Sequence, residues 1–281
     1  MSKAATPAQA DAAPPGAGVA RGRRRWPAPL RGARAAFVYF SRLPVGGFPY
    51  AAGDWHWAAA HLPLVGVVVG GAGGAALSLG AWLGVPALVT ASLVLALSLW
   101  LTGALHEDGL ADAADGLGGA PHDRARALAI MKDSRIGSYG ACALGLSLLL
   151  RAGAIAALEP WQWFALVYAH TWARVGPVWL LLSEPYVNER PDAKSQGLFA
   201  TRPVHLAAAL GWGSLAGAVA VGAGWLPWPA AVAGALAPLA TSVWLGRFFR
   251  RRVGGVTGDL LGMAEQVGEA ACWVALSAAF G

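Results

Sequence analysis

Two long stretches of this chain carry no Asp, Glu, Lys or Arg: residues 62 to 105 and residues 203 to 246. Each is long enough for two membrane spans at about 20 residues per span. Only 13% of the 281 residues are charged and 56% are hydrophobic, with a mean hydropathy of +0.49. Soluble domains carry about a quarter charged residues, so the chain belongs to the membrane class. The expectation is an all-α polytopic membrane protein of about seven transmembrane helices. Those spans fall near 60–83, 87–105, 139–157 and 161–183, twice within 203–246, and in the last apolar segment before the C-terminus. Turns are expected at Gly84-Val85-Pro86 and Pro227-Trp228-Pro229.

The charges that remain are sorted by side. Connections near 84–86, 158–160 and 225–229 hold no Lys or Arg. Basic residues gather instead in the N-terminal tail, after the acidic stretch at 102–118, in the loop 184–202 and in RFFRRR at 247–252. The positive-inside rule puts that second set in the cytoplasm. This pattern, rather than a single basic surface, accounts for the net charge of +6, so nucleic acid is not an expected partner and the lipid bilayer is. Residues 1–32, with RGRRR at 21–25, read as a disordered basic tail near anionic lipid, and 33–281 as the polytopic domain. Residues 33–49 suggest a short interfacial helix ended by Pro44. Cys142 and Cys272 sit in apolar stretches as small core residues, with no disulfide or metal spacing. Oligomeric state is left open.

Chemistry concentrates in TGALHEDGLADAADGLG, residues 102–118, where Glu107, Asp108, Asp112 and Asp115 fall within nine positions. Asp108, Asp112 and Asp115 are spaced +4 and +3, which places them on one helix face. Like charges there repel. A hard divalent cation such as Mg²⁺ relieves the repulsion and keeps positions open for water and phosphate; the bland reading is a solvated acidic helix end. A second part is GGVTGD at 254–259, whose glycines around Thr257 and Asp259 would let backbone approach a phosphate. Glu265 and Glu269 follow, one turn apart, at the start of an apolar segment where ionisable groups usually face a cavity or a partner. A third part is Lys132, Asp133 and Arg135, with the two cations supplying donors to phosphate oxygens. Arg124 and Arg126 read better as lipid contacts, and Arg42 as either a substrate or a lipid contact. Arg151, His170 and Arg174 lie within expected spans, and their spacing selects no partner. His106 points away from the three-Asp face.

Carboxylates for metal beside cations for phosphate suit phosphoryl transfer, where metal and positioning do most of the work. At this point the chain resembles the adenosylcobinamide-GDP ribazoletransferase (cobalamin synthase) family. The resemblance rests on FSRLPVG at 40–46, LTGALHEDGLADAADGLGG at 101–119, LAIMKDSRIGSYG at 128–140 and GGVTGDLLG at 254–262. It implies a Mg²⁺-dependent inner-membrane enzyme joining adenosylcobinamide-GDP to α-ribazole or its 5′-phosphate, with release of GMP. It also implies Asp108 and Asp112, with Glu107 or Asp115, as metal ligands, and Asp115, Asp133 or Asp259 as the base. Glu107 ranks lower, because family members frequently carry an apolar residue there. Arg42, Lys132, Arg135, Thr257 and Glu265 complete the candidate substrate contacts. Other Asp-rich membrane transferases are alternatives, but a CDP-alcohol phosphotransferase wants an Arg that DGLADAAD lacks, and a prenyltransferase shares only helix-end aspartates. A transporter using intramembrane acids is a further alternative, though its acids would gather near the midplane.

Overall fold

The computed structural model describes residues 26–46, 50–187 and 200–280. Its helices are α1 Ala28–Phe40, α2 Ala52–Ala60, α3 Leu62–Trp82, α4 Ala87–Thr102, α5 Leu105–Gly119, α6 Arg124–Met131 and α7 Ser138–Ala156. After a short 3₁₀ turn at Pro160–Gln162 come α8 Phe164–Ala173, α9 Val175–Ser183, α10 Pro203–Gly222, α11 Trp228–Val253 and α12 Gly258–Phe280. Among the described residues no strand forms, only an isolated parallel bridge between Tyr186 and Val256.

Helix α8 is the centre: every residue from Phe164 to Ala173 is buried. Helix α3 reaches it through Gly66, Gly70 and Gly74, one residue per turn along a single face. A Cβ at Gly70 would stand 2.6 Å from Val167 Cα, and one at Gly74 3.0 Å from Trp163 Cε3. In lipid, where apolar surface gains little by leaving the solvent, such close backbone approach is a main source of helix association. Helix α12 closes the other side, packing against α5, α7, α8, α9 and α11.

All seven expected apolar segments are helical, but they are not seven regular spans. α3, α7, α10 and α11 are each long and apolar enough to cross a membrane, and α4 with α5 makes a fifth only if that bent pair is one span. The segment expected at 161–183 is divided at Arg174 into helices of 10 and 9 residues. The final segment carries Asp259, Glu265 and Glu269, whose charge lowers its apolarity. Between α4 and α5 the chain turns by 90°. Gly103 (φ 68°) and Ala104 (φ 57°) make that corner with two successive left-handed residues. For Ala this conformation costs about 1–2 kcal/mol, a strain the surrounding contacts must offset.

Two boundaries move. The expected tail of 1–32 overlaps α1, which begins at Ala28 behind Pro27, and residues 1–25 lie outside the described residues. The interfacial helix ends at Phe40, before Pro44, because the chain is extended from Ser41. Most of the 184–202 loop also lies outside the described residues.

Candidate active site where α5 crosses α12

Helix α5 meets the start of α12 with almost no side chain between them. A Cβ on Gly109 would stand 2.9 Å from the Asp259 carbonyl oxygen and 3.1 Å from Gly262 Cα. Glycines at 109 and 262 thus let the two backbones touch, and the contact sets Asp259 opposite the acidic face. Asp108 is exposed and Asp112 half-buried on that face. Asp112 feels the like charges of Asp108 and Asp115, while Asp259 feels those of Asp112 and Asp108 together with the opposing charge of Lys132. Two parts well separated in sequence therefore meet, Asp108 and Asp112 from α5 and Asp259 from α12, within range of the charge of Lys132 at the end of α6.

The other expected members are placed differently. Asp115 is buried, and its carboxylate accepts the N–H of Gly137 (2.6 Å) and of Gly140 (2.8 Å). It fastens the start of α7 to α5, so both oxygens are already engaged. Asp133 and Arg135 pair with each other on the surface, with Nε 3.0 Å from Oδ1 and Nη2 2.6 Å from Oδ2. That guanidinium fork holds the Asp133 carboxyl below the usual carboxylate range. The Thr257 hydroxyl accepts the Leu260 N–H at 3.3 Å, the bond of a helix N-cap. Arg42 sits at the α4–α5 corner, its Nε 3.0 Å from where a Gly103 Cβ would be.

Glu107 and Glu265 do not join the acidic face. Each lies on the inward side of its helix, within a buried polar network. Arg151 Nη1 donates to Glu107 Oε1 (2.9 Å) and Arg151 Nε to Glu269 Oε1 (3.0 Å). Gln266 Nε2 donates to Glu107 Oε1 at 3.2 Å and to Glu265 Oε2 at 2.9 Å. Arg174 Nη1 stands 2.8 Å from Glu265 Oε1 but out of hydrogen-bond alignment, and His170 Nδ1 is 3.4 Å from Glu269 Oε2. Trp273 Nε1 adds a donor to Glu269 at 3.2 Å. This network gives Arg151, His170 and Arg174 their partners. Its membership was marked in the sequence only by charge inside apolar helices. Glu107, expected as a metal ligand, and Glu265, expected as a substrate contact, lie instead in the buried part of the α5–α12 contact, where His106 Nδ1 stands 3.8 Å from Glu265 Oε2 and Gln266 donates to Glu107, apart from the exposed Asp108.

A hard cation fits what remains. Among the described residues no group of three or more His, Cys, Asp or Glu side chains converges on one point. Mg²⁺ does not require one, since it is commonly held by one or two carboxylates plus water and substrate phosphate. Asp108 and Asp112, one turn apart with no arginine between them, offer that incomplete set.

A family model described as cobalamin-5-phosphate synthase matches residues 32–277. A protein of Leptothrix cholodnii named adenosylcobinamide-GDP ribazoletransferase is 43% identical over 247 residues, covering 85% of this chain and 92% of its own. Proteins of the same name from Bradyrhizobium diazoefficiens and Ralstonia pickettii are 42% and 39% identical, covering 84% and 83% of this chain and 89% and 90% of theirs. No solved structure matches the chain. With the match running through the acidic face, the α6 end and the α12 start alike, the chain belongs to the cobalamin-5-phosphate synthase family and is a transferase.

Proposed function

We propose that this chain joins adenosylcobinamide-GDP to α-ribazole or α-ribazole 5′-phosphate, forming adenosylcobalamin or its 5′-phosphate and releasing GMP. The observation that carries this reading is the crossing of α5 and α12, which sets Asp259 opposite the Asp108 and Asp112 face within range of the charge of Lys132. Asp108 and Asp112 would hold Mg²⁺, which when bound supplies charge neutralisation on the pyrophosphate.

The chain's own groups divide the remaining work. Lys132 pairs with phosphate oxygens as a point charge, and Arg135 offers a planar fork once it exchanges Asp133 for substrate. A ribose hydroxyl of the acceptor attacks the phosphorus linked to cobinamide. The new P–O bond forms as the bond to the bridging pyrophosphate oxygen breaks, and GMP leaves with that electron pair. The hydroxyl proton passes to a carboxylate. Of the three candidate acids, Asp115 is held by two backbone N–H groups and Asp133 stands on the surface with Arg135, whereas Asp259 faces the Asp108 and Asp112 pair across the helix crossing. Asp259 is the base in this reading.

The site lies on the cytoplasmic side of the bacterial inner membrane, as the charge asymmetry of the connections supports. The test is GMP release from adenosylcobinamide-GDP and α-ribazole by the purified chain, with and without Mg²⁺. Release that needs both acceptor and Mg²⁺ is the expected result. Mg²⁺-independent release would remove the metal, and no release with either acceptor would remove the reaction.

A further inference from the structure

Well away in sequence from the acidic face, the end of α11 and the end of α9 enclose a cleft of about 450 Å³. Trp179 and Val243 give it apolar walls, and Arg247, Arg250 and Arg251 give it a basic rim. Arg250 is committed: its Nε stands 2.6 Å from Glu184 Oε2, and its Nη2 donates to Glu184 Oε1 (2.9 Å) and to the Ser183 carbonyl (3.0 Å). This bidentate pair of hydrogen bonds to Glu184 fixes one side of the cleft. Arg247 and Arg251 are exposed and have no ion pair among the described residues. They are spaced i, i+4, so two like charges share one helix face, an arrangement that favours a bridging anion.

Depth identifies the kind of anion. Helix α11 starts at Trp228, which is 68% exposed, and has 26 residues. About 20 residues at 1.5 Å each cross a hydrocarbon core of roughly 30 Å, which brings the chain to Arg247 at the opposite headgroup level. At that level Trp244 stacks on Phe248 (centroids 5.7 Å) and Arg252 lies 5.3 Å over the Phe248 ring, an aromatic belt with its cation. We infer that the cleft is a binding site for an anionic glycerophospholipid, its phosphodiester held by Arg247 and Arg251 and its acyl chains lying against Trp179 and Val243. Inorganic phosphate shares the anion chemistry but offers nothing to the apolar walls.

The experiment titrates the full chain, purified and stripped of lipid in detergent, with short-chain phosphatidylglycerol, short-chain phosphatidylcholine and inorganic phosphate, reading bound lipid by native mass spectrometry. Saturable binding of phosphatidylglycerol alone is expected. It should weaken about thirtyfold in the Arg247→Gln, Arg251→Gln double variant, the loss of two basic contacts, and stay unchanged in Arg34→Gln, Arg202→Gln. An equal fall in both double variants would show diffuse charge and overturn the site. Competition by inorganic phosphate at the lipid's own concentration would overturn the lipid in favour of a free anion. If the arginine variant does not fold, Val243→Trp, which fills the cleft without changing charge, must lower binding; unaltered binding there refutes the inference.

Discussion

Replacing Arg151 by Met tests the buried network directly. Met keeps most of the side-chain length in an apolar helix, so the main change is loss of the guanidinium that faces Glu107 at 2.9 Å and Glu269 at 3.0 Å. Breaking a buried pair by removing one partner typically costs 3–5 kcal/mol, because the other charge stays behind uncompensated. Two carboxylates are stranded here, which argues for the top of that range. Each keeps one donor, however: Gln266 Nε2 for Glu107 and Trp273 Nε1 for Glu269, both at 3.2 Å. The lower end, about 3 kcal/mol, is therefore expected, a fall in Tm on the order of 10 °C for a chain of this size. The assay is thermal unfolding of the detergent-solubilised protein at fixed lipid. Adding Glu107→Gln and Glu269→Gln to Arg151→Met removes the stranded charges and should recover more than half of the loss. A single variant melting within 2 °C of the parent, or a triple variant melting lower still, would refute the reasoning.

Asp108→Asn and Asp112→Asn should each lower kcat for GMP release by at least about a hundredfold, with Tm unchanged, since a metal contact is worth several kcal/mol in such a transition state. Near-normal Mg²⁺-dependent turnover in either would take that residue out of the ligand set. Asp115→Ala should behave in the opposite way, costing about 2 kcal/mol of stability through the lost bonds to Gly137 and Gly140 while leaving the apparent Mg²⁺ affinity of the folded fraction unchanged. A shifted Mg²⁺ titration would place Asp115 among the ligands after all. Gly109→Ala should push α5 off α12, where its Cβ would meet the Asp259 carbonyl at 2.9 Å, and lower kcat/KM more than Tm; equal activity would show that the crossing does not set the site. Arg135→Lys should lower kcat/KM about thirtyfold if the fork grips phosphate, and full activity with Lys would rule that grip out.

How far the sequence could be read depended on the range of the interaction. The shared face of Asp108 and Asp112 is a matter of helical periodicity and was visible at once, as were the uncharged helices and the glycine-rich start of α12. Asp115 obeys the same periodicity, yet it faces inward, because its partners at Gly137 and Gly140 lie 22 and 25 residues on. Glu107 finds Arg151 44 residues away, and Arg151 finds Glu269 after a further 118. No spacing rule reaches that far. The interruption of 161–183 had a local sign in Arg174, a charge in an apolar segment, although its partner Glu265 belongs to another helix.

The same separations carry a consequence for how the protein is made. Helix α7 brings Arg151 to the translocon while Glu269 is still untranslated; at roughly 5–20 residues per second those 118 residues take on the order of 6–24 seconds. An arginine at the centre of a spanning helix costs about 2.5–3.5 kcal/mol on insertion, and Arg151 lies one turn past the centre of α7. Of the two carboxylates that pair with Arg151 in the folded protein, Glu107 alone is made before it, and Glu269 can join only once the C-terminal helix has been made.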